Sequence, residues 1–249
     1  MPTQLSVNVN KIATLRNTRA LEIPSVVHFA RIALDAGAHG ITIHPRPDHR
    51  HIRPSDVDTL TNLLKTWPQA EFNIEGNPFI DYLPHIRKAH PHQCTLVPDD
   101  PEAFTSDRGW HLAPEAARLK PLIAELKALG ARVSLFMDAG STEFERAREF
   151  GADRIELYTE PYAAAFAQGS DARQRALDLF AAAGRRAAAV GLGLNAGHDL
   201  NLHNLPALVA AIPNLLEVSI GHALIADALE FGLAETVRKY LAACQGKSA

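Results

Sequence analysis

A chain of 249 residues with 47% hydrophobic and 21% charged residues has the size and balance of one large globular domain, 1–249. Its formal net charge of -3 leaves no basic footprint for nucleic acid or an anionic membrane surface, and no apolar run approaches the roughly 18 residues of a spanning helix. Two cysteines, Cys94 and Cys244, show neither metal-ligand spacing nor a disulfide framework, and the first residues lack a charged region followed by an apolar core, so a cytoplasmic protein is expected.

In chain order, Leu5-Ser-Val-Asn-Val9 alternates with period two and predicts a first strand. A polar loop rich in Arg and Asn follows, then an amphipathic helix from Pro24 to Gly37 with Ser25 as its cap. Residues 39–44 predict a buried strand whose outgoing loop carries His44, Arg46, His49, Arg50 and His51. Pro45 and Pro47 deny that loop both helix and ladder hydrogen bonds. A helix from about Ser55, with Ser55 and Asp58 as a capping box, leads to a third strand at Glu71–Glu75. A helical stretch around 78–89, a fourth strand Gln93–Val97 and a long loop, 98–113, complete the first half.

The second half repeats the rhythm. A helix from Pro114 to Leu129 stops at Gly130, and Arg132–Met137 is a fifth strand. Thr142 and Glu145 box the next helix, which ends at Gly151 before a sixth strand at Arg154–Tyr158. An irregular stretch to Gly169 precedes a long helix, 171–190, and a seventh strand, Gly191–Asn195. A short helix at 204–211, an eighth strand at Leu216–Ile220, Gly221-His222 and a final helical region end the chain. Eight strand–helix units predict an α/β fold, a (β/α)8 barrel. A doubly wound open sheet requires a Gly-rich fingerprint after the first strand, and Asn8-Val-Asn-Lys11 is not one. The stretch 160–170 and the turns past about Ala226 exceed a minimal barrel and are expected to serve subunit contacts or site closure.

In such a barrel the C-terminal strand ends converge on one mouth. They deliver Asn8, Asn10 and Lys11, with Arg16 and Arg19 just beyond; His44, Arg46 and His51; Glu75; Thr105; Glu156; Asn195 and His198; and Gly221-His222. Glu75 and His44, on adjacent strands, can share proton transfers, and His198 can act from another side. Glu156 lies within a strand, where a carboxylate is costly unless it offsets a cation such as an imine intermediate. Gly221-His222 offers backbone N–H groups and a helix dipole to a phosphate, while Arg19, Arg46 and His51 can hold a second anion. The pattern suggests a condensation of phosphorylated carbonyl compounds through proton transfers, with no organic cofactor and no metal.

Asn8-Val-Asn-Lys-Ile-Ala-Thr-Leu-Arg-Asn-Thr-Arg19, Gly40-Ile-Thr-Ile-His44, Asp48-His-Arg-His-Ile52, Val133-Ser-Leu-Phe136, Asn195-Ala-Gly-His198 and Ile220-Gly-His-Ala223 resemble the pyridoxine 5′-phosphate synthase family over nearly the whole chain. The resemblance implies a (β/α)8 barrel with additional helices, assembled as a cytoplasmic homo-octamer. It implies condensation of 3-amino-2-oxopropyl phosphate with 1-deoxy-D-xylulose 5-phosphate to pyridoxine 5′-phosphate, phosphate and water. By the same resemblance His44 and Glu75 are proton acceptors, His198 the proton donor and Glu156 a transition-state stabiliser. Asn8, Arg19, Gly221 and His222 would hold the amino-ketone phosphate, and Arg46, His51 and Thr105 the deoxyxylulose phosphate.

Three positions depart from the family pattern. Asn10-Lys11 stands at a substrate-contacting position where Asp-His is common. Asp199 replaces a Gly after Ala-Gly-His, and Thr159-Glu-Pro-Tyr162 replaces a Gly-Cys before the Tyr. Two other functions compete. A metal-dependent carbon–carbon lyase could use His44, His51 and Glu75 as zinc ligands, although Arg46 beside them would repel a cation. A barrel that binds phosphates without turnover is the other.

Overall fold

Alternation decides where the core sits. Leu5 and Val7, Ile41 and Ile43, Phe72 and Ile74, Val133 and Leu135, and Ile155 and Leu157 are all buried, at alternate positions along their strands. They face the surrounding helices, so the main hydrophobic layer lies between sheet and helices. The computed structural model describes residues 2–100 and 102–247. Its strands are β1 (Gln4–Asn8), β2 (Gly40–Ile43), β3 (Glu71–Gly76), β4 (Gln93–Leu96), β5 (Arg132–Met137), β6 (Arg154–Tyr158), β7 (Gly193–Gly197) and β8 (Leu215–Ile220). They pair in sequence order, all parallel, and β8 closes on β1, as the predicted barrel requires.

The inward positions are polar, unlike the branched apolar filling usual in such barrels. Ser6 and Thr42 hydroxyls lie 2.7 Å apart, Asn73 donates to Thr42 at 3.3 Å and Thr95 donates to Asn73 at 3.1 Å. Below them Gln93 donates across the barrel to Glu217 at 3.3 Å, and Arg154 reaches both Glu217 and Asn195. Buried polar groups paired in this way avoid most of the desolvation penalty.

The helices are α1 (Asn10–Asn17), α2 (Val26–Asp35), α3 (Pro54–Lys65), α4 (Leu83–Ala89), α5 (Ala116–Ala128), α6 (Phe144–Glu149), α7 (Glu160–Ala167), α8 (Ser170–Ala189), α9 (Leu205–Ala211), α10 (His222–Phe231) and α11 (Leu233–Ala243). Ser25 caps α2 as expected, accepting from the His28 N–H at 3.3 Å. Several local expectations are corrected. The polar loop after β1 is instead helix α1, held by Arg16, which is 2% exposed and donates to Asp56 and to the His51 carbonyl. The box at α3 is formed by Asp56, not by Ser55 and Asp58. Pro54 starts the helix one residue early, so the Asp56 carboxylate accepts the Arg53 N–H at 2.8 Å. At α6 the expected box of Thr142 and Glu145 does not form: Glu143 stands at the N-cap without a side-chain cap, and its carboxylate instead accepts the N–H groups of Leu112 and Ala113 at 2.8 and 3.0 Å.

The stretch 160–170 is largely helical as α7, and β7 begins two residues later than expected. Gly191, at φ +73, is spent ending α8. The turns past Ala226 belong to α10 and α11, which pack on each other, α11 also on α2 and α10 on α1, with Tyr240 donating to Asp227 at 2.7 Å.

Candidate active site

The C-terminal ends of the strands enclose a cavity of about 470 Å³. Its walls include Asn8, Asn10, Lys11, His44, Arg46, His51, Glu75, Thr105, Glu156, His198, Asp199, Gly221 and His222. Arg19 is the exception among the expected residues. It sits exposed on the turn after α1 and does not line the cavity of this single chain. Asn195 is also elsewhere. Because β7 runs to Gly197, Asn195 lies mid-strand in the polar layer, accepting from Arg154 at 3.0 Å.

The chain folds His44 inward through the main chain. Asn10 Oδ1 accepts the His44 N–H at 3.0 Å, and Asn8 Oδ1 accepts the Asn10 N–H at 3.0 Å, so β1 and β2 are locked together at the mouth. His44 is 6% exposed; burial, then the charges of Arg46 and Arg50, hold its pKa down to about 3. It is therefore neutral, despite lying 3.9 Å from Glu75 and 3.3 Å from Asp99. Glu75 accepts from Ser219 at 3.3 Å and from Asn8 at 3.5 Å. Burial, with the charges of Asp99 and Glu217, pushes its carboxyl up to about 8 against the Ser219 hydrogen bond. Near neutral pH Glu75 is therefore the member of the pair that takes up and returns a proton, while His44 beside it stays an uncharged acceptor.

Glu156, the third residue of β6, is 3% exposed, and its Oε2 has no hydrogen-bond partner among the described residues. Burial and the charges of Glu75 and Glu217 raise its pKa well above the carboxylate range. A Cβ at Gly197 would lie 2.3 Å from Glu156 Oε1, so the neighbouring strand keeps a glycine to make room for this carboxyl.

Across the cavity His198 and Asp199 both adopt left-handed backbone, φ +85 and +57, an uncommon conformation for residues with side chains. Thr159 holds that turn by donating to the carbonyls of Gly197 (2.7 Å) and His198. His198 Nδ1 lies 2.9 Å from Asp199 Oδ2 and Nε2 lies 2.9 Å from the Thr105 hydroxyl, so the departure at Asp199 acts on the imidazole and that at Thr159 on its main chain. The His198 hydrogen bond holds the Asp199 carboxyl below its usual range.

Arg46, 5% exposed, donates to Asp99 at 2.6 Å and to the Ala103 carbonyl at 2.8 Å, tying the loop after β4 to the loop after β2. His51 accepts the Ile52 N–H on Nδ1 at 2.9 Å, and burial, His44 and the cations around it keep its pKa near about 3. His44, His51 and Glu75 do not assemble as metal ligands, nor does any other group of three His, Cys, Asp or Glu among the described residues. Sequence reasoning missed Asp99, Ser106 and Ser219. Ser219 was within reach, since it stands on β8 in phase with Glu217, two residues before Gly221. A larger, open hollow of about 840 Å³ beside β5 is lined by Arg108, Trp110, His111, Asp138 and Glu143. Its carboxylates are engaged in holding the loop, with Asp138 accepting the Gly109 N–H at 3.1 Å. Its one His–carboxylate pair, His111 with Glu143 at 2.8 Å, sits on an exposed imidazole, and that carboxylate is already taken by the loop N–H groups.

A family model described as "Pyridoxal phosphate biosynthesis protein PdxJ" matches residues 5–246. The chain is similar to a pyridoxine 5′-phosphate synthase of Albidiferax ferrireducens, 54% identical over 254 residues, with all of both chains covered (100% and 100%). It is 56% identical over 253 residues to a pyridoxine 5′-phosphate synthase of Xanthomonas campestris pv. campestris, covering 99% of this chain and 98% of that one. Among solved structures a tryptophan synthase from M. tuberculosis has a TM-score of 0.66 at 11% identity, covering 98% of this chain and 93% of that one, a likeness of fold alone.

Proposed function

The chain belongs to the PdxJ family of pyridoxal phosphate biosynthesis proteins, and we propose that its barrel mouth carries out the pyridoxine 5′-phosphate synthase reaction of vitamin B6 biosynthesis. In that reaction 3-amino-2-oxopropyl phosphate and 1-deoxy-D-xylulose 5-phosphate condense to pyridoxine 5′-phosphate, phosphate and water. The observation that carries the reading is the convergence of four ionisable groups on one cavity. The His44–Glu75 pair stands on one wall, Glu156 in the floor and His198 opposite.

Joining the two substrates requires that protons leave nitrogen and carbon, that oxygens leave as water, that one phosphate ester is eliminated as inorganic phosphate, and that a new carbon–carbon bond closes the ring. Neutral His44 and Glu75 accept the first, and His198, set by Asp199 and Thr105, delivers a proton to the departing oxygen. Glu156, a buried carboxyl with a free oxygen whose burial favours the neutral form, ionises when an imine brings positive charge into the cavity and then balances that charge.

The amino-ketone phosphate lies against Asn8, Gly221 and His222, where the first turn of α10 presents unpaired N–H groups. The ketose phosphate lies against Arg46, His51 and Thr105. A Cβ at Gly221 would come within 3.2 Å of the Asn8 side chain, which also bonds Glu75. Gly221→Val is expected to weaken amino-ketone phosphate binding about tenfold or more, measured by calorimetry, with little change in melting temperature. Lost stability with unchanged affinity would make the glycine a backbone requirement only.

Asn10 acts through its carbonyl oxygen on the His44 main chain, and an Asp there would offer the same acceptor. Lys11 lines the cavity as a fixed charge. The double change Asn10→Asp with Lys11→His is therefore expected to leave kcat/KM on 1-deoxy-D-xylulose 5-phosphate within roughly threefold, about 0.7 kcal/mol. A gain well above tenfold would point to adaptation toward another ketose phosphate.

The protein works as a homo-oligomer, an octamer by family resemblance. In support, Leu15, Leu21 and Ile23 are 53%, 54% and 72% exposed at and after the end of α1, beside Leu229 (81%) and Phe231 (46%) on α10, which packs against α1. Its compartment is the cytoplasm, in keeping with two buried cysteine thiols left unbridged. No described helix is long and apolar enough to cross a membrane.

A further inference from the structure

His44 stands between two carboxylates, and the mechanism above uses only one. Its Nδ1 faces Glu75 at 3.9 Å, and its Nε2 lies 3.3 Å from Oδ2 of Asp99. Asp99 is 8% exposed and does not line the cavity. Arg46 and Ser106 both donate to its Oδ2, at 2.6 and 3.1 Å, so His44 Nε2 approaches an oxygen whose position is already fixed. Asn77 anchors the main chain of the same residue by donating to the Asp99 carbonyl at 2.8 Å.

A neutral imidazole carries one N–H and one lone pair, and the partner of one nitrogen decides which is which. Burial raises the Asp99 carboxyl, and the Arg46 guanidinium at 2.6 Å and the Ser106 hydrogen bond oppose that rise. As the carboxylate partner of Arg46 it can only accept, so it draws the N–H to Nε2 and leaves the lone pair on Nδ1, the nitrogen turned toward Glu75. Asn10 holds the His44 main chain, so the ring hangs from a fixed backbone between the two carboxyls. We infer that Asp99 is a positioning residue for the condensation, holding His44 in the Nε2–H tautomer so that Nδ1 is the atom that accepts a substrate proton. The inference rests on the proposed role of His44.

The test compares Asp99→Leu, Asp99→Asn, His44→Gln and the double variant His44→Gln/Asp99→Leu by steady-state kinetics with both substrates, after melting curves confirm folding. Asp99→Leu is expected to lower kcat about 10- to 1,000-fold with each KM within about threefold, since loss of an orienting carboxylate acts on the chemical step. Asp99→Asn, which can keep an oxygen at the Oδ2 position, should recover to within roughly tenfold of the parent. In the His44→Gln background Asp99→Leu should cost less than about twofold, because no imidazole remains to orient. If Asp99→Leu melts below the assay temperature, Asp99→Ala takes its place in the same cycle. A loss confined to KM, or an equal loss with and without His44, would overturn the inference and leave Asp99 as a support for Arg46. Slowed turnover by His44→Gln combined with an additive Asp99→Leu would overturn the inference alone. Undiminished turnover by His44→Gln would overturn the reading of His44 as well.

Discussion

Glu75→Gln is expected to keep the barrel and bind both phosphorylated substrates while lowering kcat by roughly 10²–10⁴-fold, the range for a positioned acid or base. Glu75 ends β3 beside His44, and its amide replacement can still accept from Ser219. What the variant loses is the ability to take up and return a proton. The pH dependence supplies a second readout. Burial pushes Glu75 up to about 8, so the carboxylate that accepts a proton becomes more populated as pH rises toward that value. In the parent, kcat/KM should therefore climb between about pH 6 and 8 and level off above, and the climb should vanish in Glu75→Gln. His44, held near about 3, stays neutral across this window and adds no limb of its own. Near-normal turnover in Glu75→Gln would remove this residue from the mechanism.

Glu156→Gln is expected to lower kcat by about 10²–10³-fold, the usual loss when one preorganised electrostatic partner is removed, without lowering the melting temperature. A carboxyl with an unpartnered oxygen, 3% exposed, is a cost to the folded state, and its raised pKa expresses that cost. Gln has nearly the same shape and no ionisation, so the fold should tolerate it or gain from it. The reaction should not, because a cationic imine in the cavity would find no anion beneath it. Kinetics and calorimetric melting on the same preparation separate the two effects. A drop of several degrees with kcat unchanged would make Glu156 a structural carboxyl.

Much of the architecture was legible because the strands carry their apolar residues on the helix-facing side, and alternation marks them. All eight strands lie within two residues of their expected bounds. Helix α1 was not legible from pattern. Its sequence is polar, and it exists because Arg16 finds Asp56 and the His51 carbonyl, partners set by the tertiary fold. For the same reason Arg19 was placed at the mouth, whereas it sits on the turn after α1. The displaced start of β7 turned Asn195 from a mouth residue into part of the polar interior, helped by the irregular register between Leu194 and Asn195. His44, Glu75, Glu156 and His198 were readable because each sits at or near a strand end, where barrel geometry decides neighbours. Asp99 was not, since a carboxylate in a long loop has no periodicity to betray that it is buried. The polar filling of the barrel was visible in the strands themselves, where Ser6, Thr42, Asn73, Thr95 and Ser134 hold the inward phase.

The central claim is that this mouth joins an amino-ketone phosphate to a ketose phosphate. The direct measurement incubates the purified chain with 3-amino-2-oxopropyl phosphate and 1-deoxy-D-xylulose 5-phosphate and follows released phosphate alongside the absorbance of the pyridoxine ring. The account predicts that both appear together, in equal amounts, and that neither forms when one substrate is omitted or when Glu75→Gln replaces the parent. Binding of both phosphates with no ring formation and no phosphate release would contradict it.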